Sequence, residues 1–232
     1  MNLIFRALKL PDYVTLLNAL FGVVAIILVM DGFTYMAPLL ILVAAVADGL
    51  DGQIARRFSS SEIGGNLDSL ADVISFGVAP VIITYSYSGE KYMLLPALAF
   101  YFICGILRLA RFNTMHLGFN SFSGLPITAG GIAISAYLLM GESFFNEYIM
   151  AIIALILGML MISNIPYLKA REKKILLPLT MVFAMTIISY AVDIRYTHLM
   201  AFLLSGLMAI YLVSPIIKKT EEGKNAAKRS NN

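Results

Sequence analysis

The chain is poor in the residues that carry much of the chemistry of soluble proteins. Of its 232 residues, one is cysteine, two are histidine and 13% are charged. The lone Cys104 excludes an intramolecular disulfide and argues against a cysteine metal site. Soluble domains contain about 25% charged residues, so the shortage of charge argues against a soluble globule. The sequence also shows no cleavable signal peptide, internal repeat, low-complexity run or second soluble domain.

Apolar residues are abundant instead. They make up 59% of the chain, and the mean hydropathy is +0.83. Apolar windows of about 17–25 residues are long enough to cross a bilayer. We therefore predict an all-α, polytopic integral membrane protein with about eight transmembrane helices. The predicted spans are residues 13–30, 36–55, 64–85, 92–112, 125–141, 147–168, 175–192 and 196–217.

The two ends of the chain differ from these spans. Residues 1–10, "MNLIFRALKL", alternate apolar side chains with basic ones before Pro11. That pattern predicts a short helix lying in the membrane interface, with a frayed terminus as the alternative. We expect residues 1–217 to form one membrane-embedded domain and residues 218–232 to form a basic tail.

Polar segments indicate where the chain turns. Ser59 and Glu62 have the spacing of a capping box, which predicts that the second and third spans form a helical hairpin with its bend near residues 57–62, on the cytoplasmic side. Residues 113–125 form the longest polar loop before the tail, and His116 within it is expected to be solvated.

The basic residues predict the orientation. If the N-terminus is cytoplasmic, fifteen lysines and arginines belong to inner segments, and only Lys91 and Arg195 lie in outer turns, which accounts for all 17. Because an excess of lysine and arginine marks cytoplasmic segments, both termini are predicted to be cytoplasmic. The net charge of +3 then reflects topology and contact with anionic lipid rather than nucleic-acid binding.

Four acids interrupt two apolar segments. Asp48 and Asp51 are three residues apart, and Asp68 and Asp72 are four apart, so each pair shares one helical face. The hairpin would bring both pairs to a similar depth just inside the cytoplasmic boundary. An ionised aspartate inside a span costs at least about 2.5–3.5 kcal/mol, and neighbouring acids repel one another. Such a cluster needs basic partners, protons or a divalent cation.

A divalent cation fits the available donors. Oxygen ligands without cysteine or nearby histidine suit Mg²⁺, Mn²⁺ or Ca²⁺ rather than zinc. Mg²⁺ commonly joins carboxylates to substrate phosphates, so a phosphorylated substrate is expected. Gly49, Gly52 and Ala55 leave space for a ligand, although small residues also permit close helix packing. Arg108 and Arg111 are placed to meet an anionic ligand.

Two stretches, "DGLDGQIAR" and "GGNLDSLAD", resemble the signature of the CDP-alcohol phosphotransferase family, D-x-x-D-G-x-x-A-R-x(7)-G-x-x-x-D-x-x-x-D. The matching positions are Asp48, Asp51, Gly52, Ala55, Arg56, Gly64, Asp68 and Asp72. "SLADVISFGVAP", "RLARFN" and "SGLPIT" are similar to the phosphatidylserine synthase branch of that family.

The resemblance implies a six-helix catalytic core, usually dimeric, with two divalent cations, Mg²⁺ or Mn²⁺. It implies that Asp48, Asp51 and Asp68 hold the cations, and that Asp72 completes the cluster and acts as the base. It also assigns the CDP pocket to Gly52, Ala55, Arg56 and Gly64, to which Thr15 and Asn18 of the first helix are added as candidates.

The implied reaction is attack by the hydroxyl of L-serine on the β-phosphorus of CDP-diacylglycerol or CDP-archaeol, with release of CMP. The candidate serine-binding residues are Arg108, Arg111, Asn113 and Ser75. Other roles are open for several of these residues. Both arginines could be snorkelling anchors, the Ser75 hydroxyl could bond to its own helix, and Thr15 and Asn18 could serve in packing.

Three alternatives have distinct signatures. An ion transporter would place acids near the midplane in broken, repeated helices, which this sequence lacks. An aspartate-rich membrane prenyltransferase also binds Mg²⁺ and diphosphate but lacks the "DG..AR" element. Within the family, inositol phosphate or glycerol phosphate could replace serine as the acceptor, because the signature specifies only the CDP donor.

Overall fold

The computed structural model describes residues 8–58, 61–114, 124–165, 167 and 173–230, with backbone alone for 173–177 and 216–230. Within those ranges every regular element is helical. Ser59, His116 and most of the predicted interfacial helix lie outside the described residues.

The described helices follow the order of the predicted spans. The third span contains a π-helical segment, Val73–Val78, between two α-helices, and a short 3₁₀ turn, Tyr92–Leu94, precedes the fourth. The α-helices are α1 (Leu10–Met30), α2 (Met36–Phe58), α3 (Gly64–Asp72), α4 (Ala79–Tyr87), α5 (Leu95–Asn113), α6 (Ile127–Leu139), α7 (Glu147–Ile162), α8 (Lys173–Tyr190) and α9 (Ile194–Ser230).

The prediction of a polytopic membrane protein is confirmed. By length and composition, five of the described helical segments can cross a membrane, and three further apolar helices are shorter. The five are Leu10–Met30, Met36–Phe58, Gly64–Tyr87, Tyr92–Asn113 and Ile194–Pro215. Large apolar side chains such as Ile27, Leu107 and Ile156 are exposed on the outside of the bundle, as expected of a surface that faces lipid.

Three boundaries differ from the sequence-based expectations. Pro11 lies in the first turn of α1 rather than stopping a preceding helix, because proline needs no N–H donor there. Ile63 is the N-cap of α3 and provides no side-chain cap, so the capping-box prediction placed the helix start too early. The backbone of α9 continues to Ser230, so the described part of the basic tail extends the last helix.

α6 lies at the centre of the bundle. All of its residues except Thr128 and Ile132 are buried. It contacts α2, α4, α7, α9 and the π-helical segment, while α1 packs along α2 and against α3 and α4. Side chains from several helices, including Phe76, Tyr101 and Leu138, fill one common core. α2 and α3 are therefore held as a hairpin by α1 on one side and α6 on another.

One close approach sets the distance between α1 and the third span. A Cβ atom at Gly22 would lie 2.6 Å from Ser75 Oγ and 2.8 Å from Ser75 Cα. Because a backbone atom is among the clashing partners, a side-chain rotation alone cannot relieve the contact.

We predict that Gly22→Ala lowers the stability of the protein by about 1–3 kcal/mol, the usual effect of overpacking a filled interior. The measurement is the midpoint of thermal unfolding in detergent. Gly206→Ala is the matched control, because its new Cβ would meet no described atom within 4 Å on an exposed face of α9. Equal midpoints for the two variants would contradict the prediction.

Candidate metal centre

Three carboxylates converge at the end of the bundle where α2 ends and α3 begins, here called the hairpin end. One oxygen from each of Asp48, Asp68 and Asp72 lies within 4.8 Å of the other two. The two chain directions of the hairpin produce this arrangement, because α2 runs toward the bend and α3 runs away from it. The expected convergence of four acids is thus observed for these three.

Neutral donors surround the acids. Thr128 Oγ1 of α6 donates to Asp48 Oδ2 at 3.2 Å, and Asn18 Nδ2 of α1 approaches Asp72 Oδ1 at 3.4 Å. Asp72 is only 5% exposed. These neutral hydrogen bonds orient the carboxylates of Asp48 and Asp72 but do not balance their charge, so the cluster remains electrostatically unsatisfied.

Asp51 lies beside this cluster rather than within it. Its Oδ2 accepts a hydrogen bond of 2.6 Å from Thr15 Oγ1, and its charge acts on Asp48, Asp68 and Asp72. Thr15, predicted to contact the nucleotide, therefore orients a carboxylate in this structure. A ligand role for Asp51 stays a prediction.

The two arginines of α5 have different surroundings. The Arg108 guanidinium interacts electrostatically with Asp48, Asp68 and Asp72, but it forms no ion pair within 4 Å with them. Arg111 Nη2 instead approaches the Ser163 carbonyl oxygen at 3.4 Å, just beyond the end of α7. Arg108 therefore faces the acids, whereas Arg111 supports the carbonyl groups at a helix C-terminus.

The donor set fits a hard divalent cation. All three converging ligands are carboxylates, and the side-chain oxygen Asn18 Oδ1 is buried near Asp72 without a hydrogen-bond partner. The ion pair observed between described residues, Lys91 with Glu147, does not involve the cluster, and Arg108 acts on the three acids without a contact within 4 Å. Oxygen-only coordination of this kind suits Mg²⁺, Mn²⁺ or Ca²⁺.

The residues predicted to line a CDP pocket lie along the same end of the hairpin. The Arg56 side chain is exposed and folds back along α2, so that its Nη1 would lie 3.6 Å from a Cβ at Gly52. Ala55 is half-buried on the same helix, and Gly64 begins α3. A positive, exposed guanidinium beside a residue without a side chain is compatible with an incoming phosphate.

Two of the residues predicted to bind serine make structural contacts. Ser75 Oγ donates to the Asn18 carbonyl oxygen at 2.7 Å, which joins the third span to α1. Asn113 Oδ1 accepts a hydrogen bond of 3.0 Å from Ser69 Oγ, which joins the end of α5 to α3. Binding of serine by Ser75 and Asn113 stays a prediction.

Sequence reasoning missed several groups that shape the site. Thr128 lies in the quoted stretch "SGLPIT", but only tertiary structure brings it to Asp48. Asp12 is 1% exposed and accepts hydrogen bonds from the Lys9 N–H and from Ser61 Oγ at 2.6 and 3.0 Å. In the sequence, Asp12 could have been noticed as the one acid at the start of an otherwise apolar helix. Its contacts tie the start of α1 to the hairpin bend.

Comparison with known proteins places these observations in a family context. The CDP-alcohol phosphatidyltransferase family model matches residues 8–162, which is more than half of the chain and includes all four acids.

Several relatives are similar to this chain in sequence. Archaetidylserine synthase of Methanothermobacter thermautotrophicus is 42% identical over 164 residues, covering 69% of this chain and 70% of that protein. CDP-diacylglycerol–serine O-phosphatidyltransferase of Methanocaldococcus jannaschii is 36% identical over 215 residues, covering 92% and 95%. The enzyme of the same name from Helicobacter pylori is 33% identical over 218 residues, covering 90% of each chain.

Removing one acid of the cluster should have opposite effects on thermal stability without and with a divalent cation. Asp48→Asn should raise the thermal midpoint in EDTA, because one of three repelling charges is removed. It should also reduce the stabilisation by Mn²⁺, which for a protein that binds the ion reaches about 2.7 kcal/mol at 100 times Kd.

The matched control is Asp31→Asn, which alters an exposed acid after the end of α1. It should leave both midpoints close to those of the unmodified protein. A midpoint that falls in EDTA for Asp48→Asn, or an unchanged Mn²⁺ effect, would contradict the assignment of this cluster as a cation site.

Proposed function

Because the chain belongs to the CDP-alcohol phosphatidyltransferase family, we propose that it transfers a lipid phosphatidyl or archaetidyl group from a CDP-linked lipid to the hydroxyl of L-serine. The other product is CMP. The observation that carries this proposal is the meeting of Asp48, Asp68 and Asp72, from two helices of the hairpin, around one point. Similarity to the serine phosphatidyltransferases and to archaetidylserine synthase supports serine as the acceptor.

The donor would bind with its diphosphate at the hairpin end. Arg56 is exposed beside Gly52, and its planar guanidinium can contact two phosphate oxygens at once. Ala55 and Gly64 have small side chains or none, which leaves the neighbouring backbone accessible. The lipid chains would extend along the apolar helix surfaces, which do not distinguish diacylglycerol from archaeol.

The acceptor would bind on the α5 side of the cluster. Arg108 is half-buried and faces the acids, so its charge is available to the carboxylate of serine. Arg111 and Asn113 lie one turn further toward the end of α5, where they hold Ser163 and Ser69. We propose that Arg108 makes the charged contact and that the other two shape the entrance.

The chemical step is a displacement at the β-phosphorus. The serine oxygen forms a new bond to that phosphorus, the bond to the oxygen bridging the two phosphates breaks, and CMP leaves with the bonding electrons. Asp72 would accept the proton of the serine hydroxyl. Its contact with Asn18 Nδ2 holds the carboxylate in one orientation, and its burial excludes competing water.

The three converging carboxylates would hold Mg²⁺ or Mn²⁺, and the family resemblance implies two such ions. When bound, a divalent cation supplies Lewis-acid stabilisation of phosphate charge. The protein contributes rigid placement of the ligands, because α1, α5 and α6 all contact the hairpin that carries them. Charge neutralisation and positioning are the main requirements of phosphoryl transfer.

We propose further that both termini and the site face the cytoplasm, because Arg56, Arg108 and Arg111 lie at the same end as the acids. Residues 1–217 would form one membrane domain, with residues 218–232 as a basic cytoplasmic tail and a second copy of the chain as the partner in a homodimer. The position of the acids near one end of the helices also disfavours the transporter alternative, which would place them near the midplane.

The acceptor prediction is tested by CMP release from a CDP-linked lipid. L-Serine, inositol phosphate and glycerol phosphate are offered in parallel to purified protein with Mg²⁺ or Mn²⁺. We expect release with serine and loss of release in EDTA. Activity with only one of the phosphorylated alcohols would show that the acceptor is wrong while the family chemistry is right.

The role of Asp72 as base is tested by comparing two neighbouring acids. Asp72→Asn should lower turnover by about 10²–10⁴-fold, the typical contribution of a positioned base, while a CDP-linked lipid still binds. Asp68→Asn should also lose activity, but excess Mn²⁺ should restore part of it, because that variant lacks only a ligand. If excess Mn²⁺ restores Asp72→Asn equally well, Asp72 serves as a cation ligand alone and is not the base.

A further inference from the structure

The third span changes its helical pitch directly after Asp72. Residues Val73–Val78 are π-helical, and the Ala79 N–H donates to the Ile74 carbonyl, five residues back. A π-helical turn holds one more residue than an α-helical turn. Since each residue of an α-helix turns the chain by about 100°, the extra residue rotates the side chains before it relative to those after it.

Pro80 explains why the α-helix is interrupted here. In an α-helix the Phe76 carbonyl would accept from the N–H of residue 80, four positions later. Pro80 has no N–H, and its ring would clash with the same carbonyl. The π-helical segment avoids that clash, with the Ala79 N–H bonded to Ile74, and the buried Phe76 carbonyl, deprived of its α-helical donor by Pro80, can accept from a side chain.

Tyr101 of α5 supplies that donor. Its hydroxyl donates to the Phe76 carbonyl oxygen at 2.7 Å, and the whole side chain is buried. Gly130 of α6 leaves space for the ring, since a Cβ there would lie 3.0 Å from the hydroxyl oxygen of Tyr101. The next residue, Gly131, admits Phe76 in the same way, with its Cβ position 2.8 Å from Phe76 Cδ1. α5 and α6 therefore both fit the π-helical segment closely.

The residues before and after the π-helical segment face different parts of the protein. Before it, Asp68 and Asp72 face the metal centre, and Asp72 meets Asn18 of α1. After it, Ile83 and Thr84 of α4 are fully buried in the bundle. If the segment relaxed to an α-helix while α4 kept its packing, Asp72 would rotate, together with Asp68 on the same helix, away from Asp48 of α2.

We propose that Tyr101 is a positioning residue for Asp72, acting through the Phe76 carbonyl to stabilise the π-helical segment that orients this acid. Tyr101 lies outside the acid cluster and the groups predicted to bind the substrates. The proposal rests on the function proposed above for the effect on turnover, but its effect on cation binding depends only on the geometry of the cluster.

The test compares Tyr101→Phe with Tyr137→Phe. Tyr137 is also a largely buried tyrosine, and its hydroxyl donates to the carbonyl of another phenylalanine, Phe144, at 3.1 Å. It lies near the C-terminal end of α6, whereas Thr128, which contacts the acid cluster, lies near the start of that helix. Tyr101→Phe loses its hydrogen bond to the Phe76 carbonyl. Tyr137→Phe loses that to Phe144 and also the one its hydroxyl oxygen accepts from the Asn146 N–H at 3.0 Å, so the control removes more hydrogen bonding than the test variant. The readouts are kcat and KM for CMP release, Mn²⁺ affinity by calorimetry, and the thermal midpoint.

We expect Tyr101→Phe to lower kcat by about 10–100-fold with little change in KM, as displacement of a reacting group by about 1 Å does. Its affinity for Mn²⁺ should fall by about fivefold or more, on the order of 1 kcal/mol by the usual conversion. Tyr137→Phe should keep the kcat and Mn²⁺ affinity of the unmodified protein. Equal effects of the two variants on kcat and on Mn²⁺ affinity would overturn the proposal.

A second variant separates orientation from stability. Combining Pro80→Ala with Tyr101→Phe provides an N–H for the Phe76 carbonyl, so the thermal midpoint should recover while kcat and Mn²⁺ affinity stay low. Recovery of all three would show that Tyr101 serves stability alone and would overturn the proposal. This double variant also decides the question if Tyr101→Phe alone fails to fold.

Mn²⁺ binding also separates this inference from the proposed function. If the unmodified protein releases no CMP with any acceptor, the proposed function fails. A weakened Mn²⁺ affinity in Tyr101→Phe, with an unchanged one in Tyr137→Phe, would still support the positioning role. Unchanged Mn²⁺ affinity in both variants would overturn it whatever the turnover.

Discussion

Repulsion among converging carboxylates is the constraint on which the architecture of this protein depends. Asp48, Asp68 and Asp72 have oxygens within 4.8 Å of one another in a bundle of apolar helices. Their hydrogen-bond partners, Thr128 and Asn18, are neutral and leave the charges unbalanced. In such surroundings like charges interact strongly, so the fold must hold them together against their own field. A cation and an anionic substrate are the components that would make this arrangement favourable.

The bundle meets that requirement through close contacts around the hairpin. Gly22 lets α1 approach Ser75, and the adjacent glycines 130 and 131 let α6 approach Tyr101 and Phe76. Along their helices, Gly22, Phe76 and Gly131 each lie about one turn beyond a residue of the acid cluster or one that contacts it, namely Asn18, Asp72 and Thr128. The π-helical segment belongs to the same design, since it lets one continuous span orient Asp72 toward the site and still pack α4 in the core.

Much of the site was predictable because spacing on a helix is a local property. Three- and four-residue separations place Asp48 with Asp51 and Asp68 with Asp72 on common faces, and the hairpin follows from the polar bend between two apolar spans. The distinction between Arg108 and Arg111 was not predictable, since both lie near the end of one helix. Their roles separate only because Ser163 of another segment lies beside Arg111.

The sequence alone determined that the chain is a helical membrane protein with four acids in two neighbouring apolar segments, because hydropathy and helical periodicity act over a few turns. It also carried the family motif. Tertiary structure decided which three acids meet, that Thr15 holds Asp51, and that Tyr101 donates to the carbonyl that Pro80 deprives of its α-helical donor. Those contacts join residues far apart in the chain, so they depend on how the helices pack against one another and not on the pattern within any one of them.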